Sequence, residues 1–236
     1  MKAMILSDFM TLKRSMLQLI LSCVVIGSIL GVAMGSTVAA AVSIASMLPF
    51  MFLFSIVAYD EFNGWERFRM SLPISRRNVV LGRYASAAIV SAAGIVVGVC
   101  VGAIVTAVAG ALPLSAETAA SLSWENNPIG AMIGAAVGGV GAIMVTMAVA
   151  LPLIMRYGMT KATRIIPIIF LIIFCFGLGM VGQGLFGADG LEGIVFALMN
   201  SGEGIAIAVA IPVAAVIAIY AVSAAIAIKL YAKREL

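Results

Sequence analysis

Six apolar runs, each long enough to cross a bilayer, frame everything else in this sequence. They fall near 16–35, 37–59, 84–112, 129–155, 165–186 and 205–228. About 20 consecutive apolar residues in a helix span the hydrocarbon core, and in lipid a helix satisfies all its own backbone polar groups. A closed barrel would read instead as short strands of alternating polarity, whereas these runs are continuous. With 64% of residues hydrophobic and 10% charged, the chain lacks the roughly 25% charge that covers a soluble domain. The expected fold is all-α: a polytopic membrane protein with six transmembrane helices. The first two runs meet at Gly35-Ser36-Thr37 and should form a helical hairpin. The third and fourth exceed a perpendicular crossing, so tilt or a break is expected. The first run outlasts a signal-peptide core and a second span follows at once, so it reads as an uncleaved span.

The charges divide by side. All fourteen Lys and Arg residues fall in four segments: 2–14, 67–83, 156–164 and 229–234. With six spans these lie on one face. The opposite segments (35–37, 113–128 and 187–204) hold Glu117, Glu125, Asp189, Glu192 and Glu203 and no basic residue. The positive-inside rule makes the basic face cytoplasmic, with both termini there. Basic charge so placed reads as topology and anionic-lipid contact, with no aromatic-interleaved patch for nucleic acid.

Within the spans, no ionisable residue stands clearly at membrane depth, where such groups mark proton and ion paths. Histidine is absent, and Cys23, Cys100 and Cys175 sit in apolar runs, so no metal-ligand set is expected. Ser43, Ser46, Ser91, Thr106 and Thr146 lack a base to activate them; backbone bonding accounts for them. Gly177-Leu178-Gly179-Met180-Val181-Gly182 matches a dinucleotide fingerprint in letters only, because no strand precedes it. Glycines recur every four residues at Gly27, Gly31 and Gly35, at Gly94, Gly98 and Gly102, and at Gly130, Gly134 and Gly138. Each set lies on one helix face and allows close approach, either within one subunit or at a dimer seam or sliding surface.

Two segments on the basic side carry pattern. In residues 1–15, Ile5, Phe9, Leu12 and Met16 share a helical face, with Lys2, Asp8, Thr11 and Arg14 largely elsewhere. This fits a cytoplasmic interfacial amphipathic helix ahead of a transmembrane domain over 16–236; the alternative is a plain extension of the first span. From Tyr59 to Tyr84, Phe62, Trp65, Phe68 and Leu72 recur at helical spacing behind Asp60 and Glu61. Acidic residues suit that N-terminus. Pro73 ends the helix, and Ser75 can cap the next one, which carries Arg76, Arg77 and Arg83. The aromatic helix can anchor in headgroups or dock a cytoplasmic partner.

That stretch resembles the signature loop of bacterial ABC-type permeases of the ABC-2 export superfamily, closest to a small six-span family. Asp60, Glu61, Gly64, Ser71, Leu72, Pro73, Ser75, Arg76 and Tyr84 match its pattern. The opening, with an acidic residue at Asp8, is similar too; Ser7 and Asn78 depart from the usual Lys and acidic residue. The resemblance implies that loop 60–83 contains a coupling helix seated on a separate cytoplasmic ATPase subunit, with Asp60, Glu61, Gly64, Trp65, Phe68, Leu72, Pro73, Ser75 and Arg76 as coupling residues. It implies a second permease copy or paralogue, and a bacterial inner membrane. The chain has no Gly-Lys pair and so no phosphate-binding P-loop; ATP and Mg are expected on the partner, and no cofactor on this chain. The expected function is the non-catalytic membrane subunit of an ATP-driven exporter of amphipathic or hydrophobic cargo, a peptide being the first guess. The alternative is a self-contained secondary transporter or membrane scaffold.

Overall fold

The structure, a computed structural model, describes residues 2–65, 75–111, 116–162, 164 and 204–232. Helices account for the described elements: α1 Lys2–Ala33, α2 Thr37–Phe62, α3 Arg76–Ala111, the short α4 Ala116–Ser121, α5 Ile129–Tyr157 and α6 Gly204–Ala232. Five of these are long and apolar enough to cross a membrane: α1, α2, α3, α5 and Ala210–Ala232 within α6. The predicted fifth span, 165–186, lies outside the described residues, as does the Gly177–Gly182 motif.

The α1–α2 hairpin forms at the turn the sequence marks. Gly35 takes φ +62°, a left-handed conformation open to glycine without a Cβ penalty. The Ser36 N–H donates to Gly31 O at 2.9 Å and the Gly35 N–H to Val32 O at 3.1 Å, which is the Schellman ending of a helix. Ser36 then serves α2 as N-cap, its Oγ accepting from the Ala39 N–H at 3.4 Å. α1 runs unbroken from Lys2 to Ala33. Residues 2–15 are thus an extension of the first span, not a separate interfacial helix. The cause is the buried face of α1, Met4, Asp8 and Leu12, which continues at four-residue steps toward Cys23, Gly27 and Gly31. No proline or glycine interrupts the helix between them.

α2 is the central helix, packed by α1, α3 and α5. Toward its N-terminus, glycines of its neighbours press directly on α2, against side chains from α1 and against both carbonyls and side chains from α3. A Cβ on Gly27 would stand 2.3 Å from Ile44 Cγ1, and one on Gly31 2.4 Å from Ala40 Cβ. On α3, a Cβ on Gly94 would stand 2.7 Å from Ala45 O, on Gly98 2.5 Å from Ala41 O, and on Gly102 3.1 Å from Ala41 Cβ. The third ladder differs: Gly130, Gly134 and Gly138 have nothing within 4 Å among the described residues, and Gly139 instead meets Val42 Cγ2. Four-residue spacing defines a face without saying where it points. On α5 the inward face is Met132, Ala136, Val140, Met147, Leu151 and Ile154. Toward the other end of α2 the packing changes to large side chains, with Phe52, Leu53, Ile56, Val80, Leu151 and Ile154 fully enclosed.

Asn127 closes the bundle at the acidic end. Its buried Oδ1 accepts from the Thr37 N–H at 2.9 Å, the Val38 N–H at 3.3 Å and Ser36 Oγ at 3.0 Å, while Nδ2 donates to Ser121 O and Ser123 O. One side chain thus serves the orphan N–H groups of α2. Nearby, Thr106 Oγ1 and Thr37 Oγ1 lie 2.7 Å apart.

Two measurements check this packing. Gly98→Ala, which drives a methyl group into the Ala41 carbonyl, should cost about 1–3 kcal/mol and lower the unfolding temperature in detergent. Gly134→Ala should leave it unchanged. Asn127→Ala should destabilise by about 1–3 kcal/mol through buried donors left without an acceptor. Asn126→Ala, which removes one exposed bond to Ala120 O, should do much less.

Candidate functional site

The basic end of the bundle gathers the charged residues that the helices carry inward. α3 starts where Ser75 Oγ accepts from the Asn78 N–H at 3.3 Å, the cap its sequence suggests. Two turns later its buried face presents Val79, Val80, Arg83, Tyr84 and Ser86. Arg83 is only 2% exposed, and it lies between carboxylates from two other helices, Asp8 of α1 and Asp60 of α2. Arg83 Nη1 is 3.3 Å from Asp8 Oδ1, and Nη2 pairs with Asp60 Oδ2. Ser86 Oγ adds a bond of 3.0 Å to Asp8 Oδ2. Val57, Val79, Ile154, Met155 and Tyr231 close around Asp60 and Arg83, so α5 and α6 also wall the cluster.

The sequence reading places Asp8 on the polar side of an interfacial helix; it is fully buried instead. The runs read as spans hold no ionisable group, but α1, α2 and α3 extend past them at the basic end and there bury Asp8, Asp60 and Arg83. The legible signal was the four-residue step Met4, Asp8, Leu12, which puts the carboxylate on the core face. Taking charges out of water costs several kcal/mol each, recovered only by close pairing and hydrogen bonds. That is why Arg, with a planar fork able to meet two carboxylates, stands between the two.

Two further ties flank the cluster. The half-buried Glu61 accepts from the backbone N–H groups of Met159 and Thr160 and from Thr160 Oγ1. Those residues open a helical turn just after Gly158, whose φ of +79° ends α5. Arg76 Nη1 donates to Ala232 O at 2.8 Å and reaches Tyr231 O at 3.5 Å, at the C-terminus of α6, where a cation suits the helix dipole. Tyr84 adds a second link to α6: its OH lies 2.7 Å from Ser223 Oγ, which donates to Ala148 O of α5. Tyr220 OH donates to Tyr84 O at 3.1 Å.

Of the residues singled out for coupling, Asp60, Glu61 and Arg76 are therefore engaged with the chain's own helices. Gly64 is exposed with φ +66° and open space where a Cβ would be. Its value is the left-handed turn that ends α2 after Asn63. Trp65 is half-buried, and Phe62 is 91% exposed. Phe68, Leu72 and Pro73, with Ser71 of the loop pattern, lie outside the described residues.

Among the described residues no three metal-ligating side chains cluster. Ser46 and Thr146 bond the carbonyls of Val42 and Ala142. Between α3, α5 and α6 an apolar groove of about 490 Å³ is lined by Ser91, Ile95, Gly138, Met144, Pro212 and Val216 among others. The open face of α5 is part of it.

This assembly, a helical bundle in which the end of α2 and the start of α3 are tied to several neighbouring helices, agrees with what the whole sequence matches. A family model described as ABC-2 family transporter protein covers residues 3–232. The chain belongs to the ABC-2 transporter family. No curated protein and no solved structure matches it. Membership makes it an ABC-2 type permease, a multi-pass membrane component of a transporter.

The cluster yields a stability test for this ABC-2 permease. Arg83→Met leaves two carboxylates buried without their guanidinium and should cost about 3–5 kcal/mol, read as the loss of folded protein on heating in detergent. The triple variant Asp8→Asn, Asp60→Asn, Arg83→Met should be more stable than Arg83→Met alone.

Proposed function

We propose that this chain is the permease subunit of an ATP-driven exporter, and that the coupling loop 60–83 seats a separate cytoplasmic ATPase through the part that precedes α3, 60–75. The observation that carries the reading is the way the two edges of that loop are wired. Asp60 meets α1 and α3 through Arg83, Glu61 meets the turn after α5, and Arg76 meets the end of α6. A partner that displaced this loop would act on α1, α2, α3, α5 and α6 together. The missing P-loop supports a separate source of ATP energy, and the segregation of basic residues supports a cytoplasmic loop, with both termini on that side of a bacterial inner membrane. ATP and Mg belong to the partner, and this subunit is non-catalytic. A second permease copy or paralogue completes the transmembrane path.

Phe62 is 91% exposed and so available to a docked partner, as large aromatics are at interface centres, with anchoring in lipid headgroups as the alternative. The apolar groove beside Ser91 suits an amphipathic or hydrophobic cargo, with a peptide as the first candidate.

The chain purified from its native membrane should bring an ATPase with it. Phe62→Ala should weaken ATPase retention by about tenfold or more without changing the permease's unfolding temperature. Charge reversal at Glu61 or Arg76 should abolish transport while leaving membrane insertion intact. Transport that persists in vesicles holding this chain and no ATPase would support a self-contained secondary transporter instead.

A further inference from the structure

We propose that Arg83 is a positioning residue that makes α1 move with loop 60–75. The inference rests on the reading of that loop as the ATPase seat and assigns the path by which α1 responds. α1 lies at the edge of the bundle, with only a narrow buried face. Leu6, Met10, Leu17, Leu21, Val25 and Ile29 are all exposed along it. Apolar contact alone would hold it weakly, because lipid tails are as apolar as the side chains they replace.

At the acidic end, Gly27 and Gly31 bring α1 against α2 directly. At the basic end Met4, Phe9 and Leu12 pack into the core, Phe9 against Phe52 of α2, and a polar tie is added by way of α3. Asp8 takes Arg83 Nη1 and Ser86 Oγ, and the same guanidinium takes Asp60, the residue from which the loop departs. Separating either carboxylate from Arg83 would strand a charge away from water. The cluster therefore stays closed as the loop shifts, and α1 is drawn along. Arg83 Nη2 holds the loop edge while Nη1 holds α1. A lysine keeps the charge but has one ammonium nitrogen in place of two, and so cannot face Asp8 and Asp60 from separate atoms.

The test uses the permease with its co-purified ATPase in lipid vesicles. The native cysteines are replaced, and pairs of spin labels are placed at Leu6→Cys with Trp124→Cys and at Asn63→Cys with Trp124→Cys. Trp124 is exposed at the acidic end, far from the loop. Distances are compared without nucleotide and with ATP trapped by vanadate. In the parent both distances should change, by about 2 Å or more. In Asp8→Asn the Asn63 distance should still change, while the Leu6 change falls below half of its parent value. Asp8→Glu should restore it. Arg83→Lys should split the two reporters in the same way, and it decides the matter if Asp8→Asn does not fold. A residue with a merely structural role would lower thermal stability without separating the reporters. The proposal is overturned if Asp8→Asn and Arg83→Lys keep the full Leu6 change. It is also overturned if the parent moves Asn63 and leaves Leu6 still. If Asn63 itself does not respond to trapped nucleotide in the parent, the reading of the loop as the ATPase seat falls first, and this inference falls with it.

Discussion

One buried guanidinium shared by two helices is the interaction on which the basic half of the bundle depends. Arg83 sits on α3 between Asp8 of α1 and Asp60 of α2, so three helices meet at a single planar cation. In water such a cluster would contribute little. Inside a membrane bundle its consequence is different, because no bulk solvent stands ready to take over a separated charge. The arrangement has few cheap alternatives, so it fixes the relative register of α1, α2 and α3 in a way that Phe, Leu and Ile packing cannot.

The two halves of the molecule are held by different physics. In the acidic half, glycines on α1 and α3 press directly on α2, and Asn127 caps its first turn. Such contacts are stiff, since the glycines have no side chains to rearrange. In the basic half, large side chains fill the core, and charged residues at the edges of loop 60–75 reach across to neighbouring helices. Dispersion contacts of this kind can shift by small slides, while ion pairs and caps keep particular residues together. A bundle built this way is better suited to pivoting about its acidic half than to sliding as a whole.

Much of the framework was legible because it follows from local rules. Span length, the Gly35-Ser36-Thr37 turn and the cap at Ser75 need only the sequence around them. The glycine ladders were half legible: spacing revealed a face on each helix, but only tertiary packing sends those of α1 and α3 inward and leaves Gly134 and Gly138 lining a groove. The charge cluster was least legible. Asp8 and Arg83 are 75 positions apart, and each looks at home at a membrane surface when read alone. Only the pairing makes burial affordable, and pairing is a property of the fold. The same holds for Glu61 and Arg76, which read as surface charges of a docking loop and turn out to cap the permease's own helices.

That last difference alters how the loop conveys force. If Glu61 and Arg76 contacted a partner directly, their contribution would be affinity. Turned inward, they would set which helices respond to a partner bound through other groups, such as the exposed Phe62. On the proposed reading, binding and transmission would fall to different residues of one short segment. Substitutions at the first should change how tightly a partner is held, and substitutions at the second should change what its movement accomplishes.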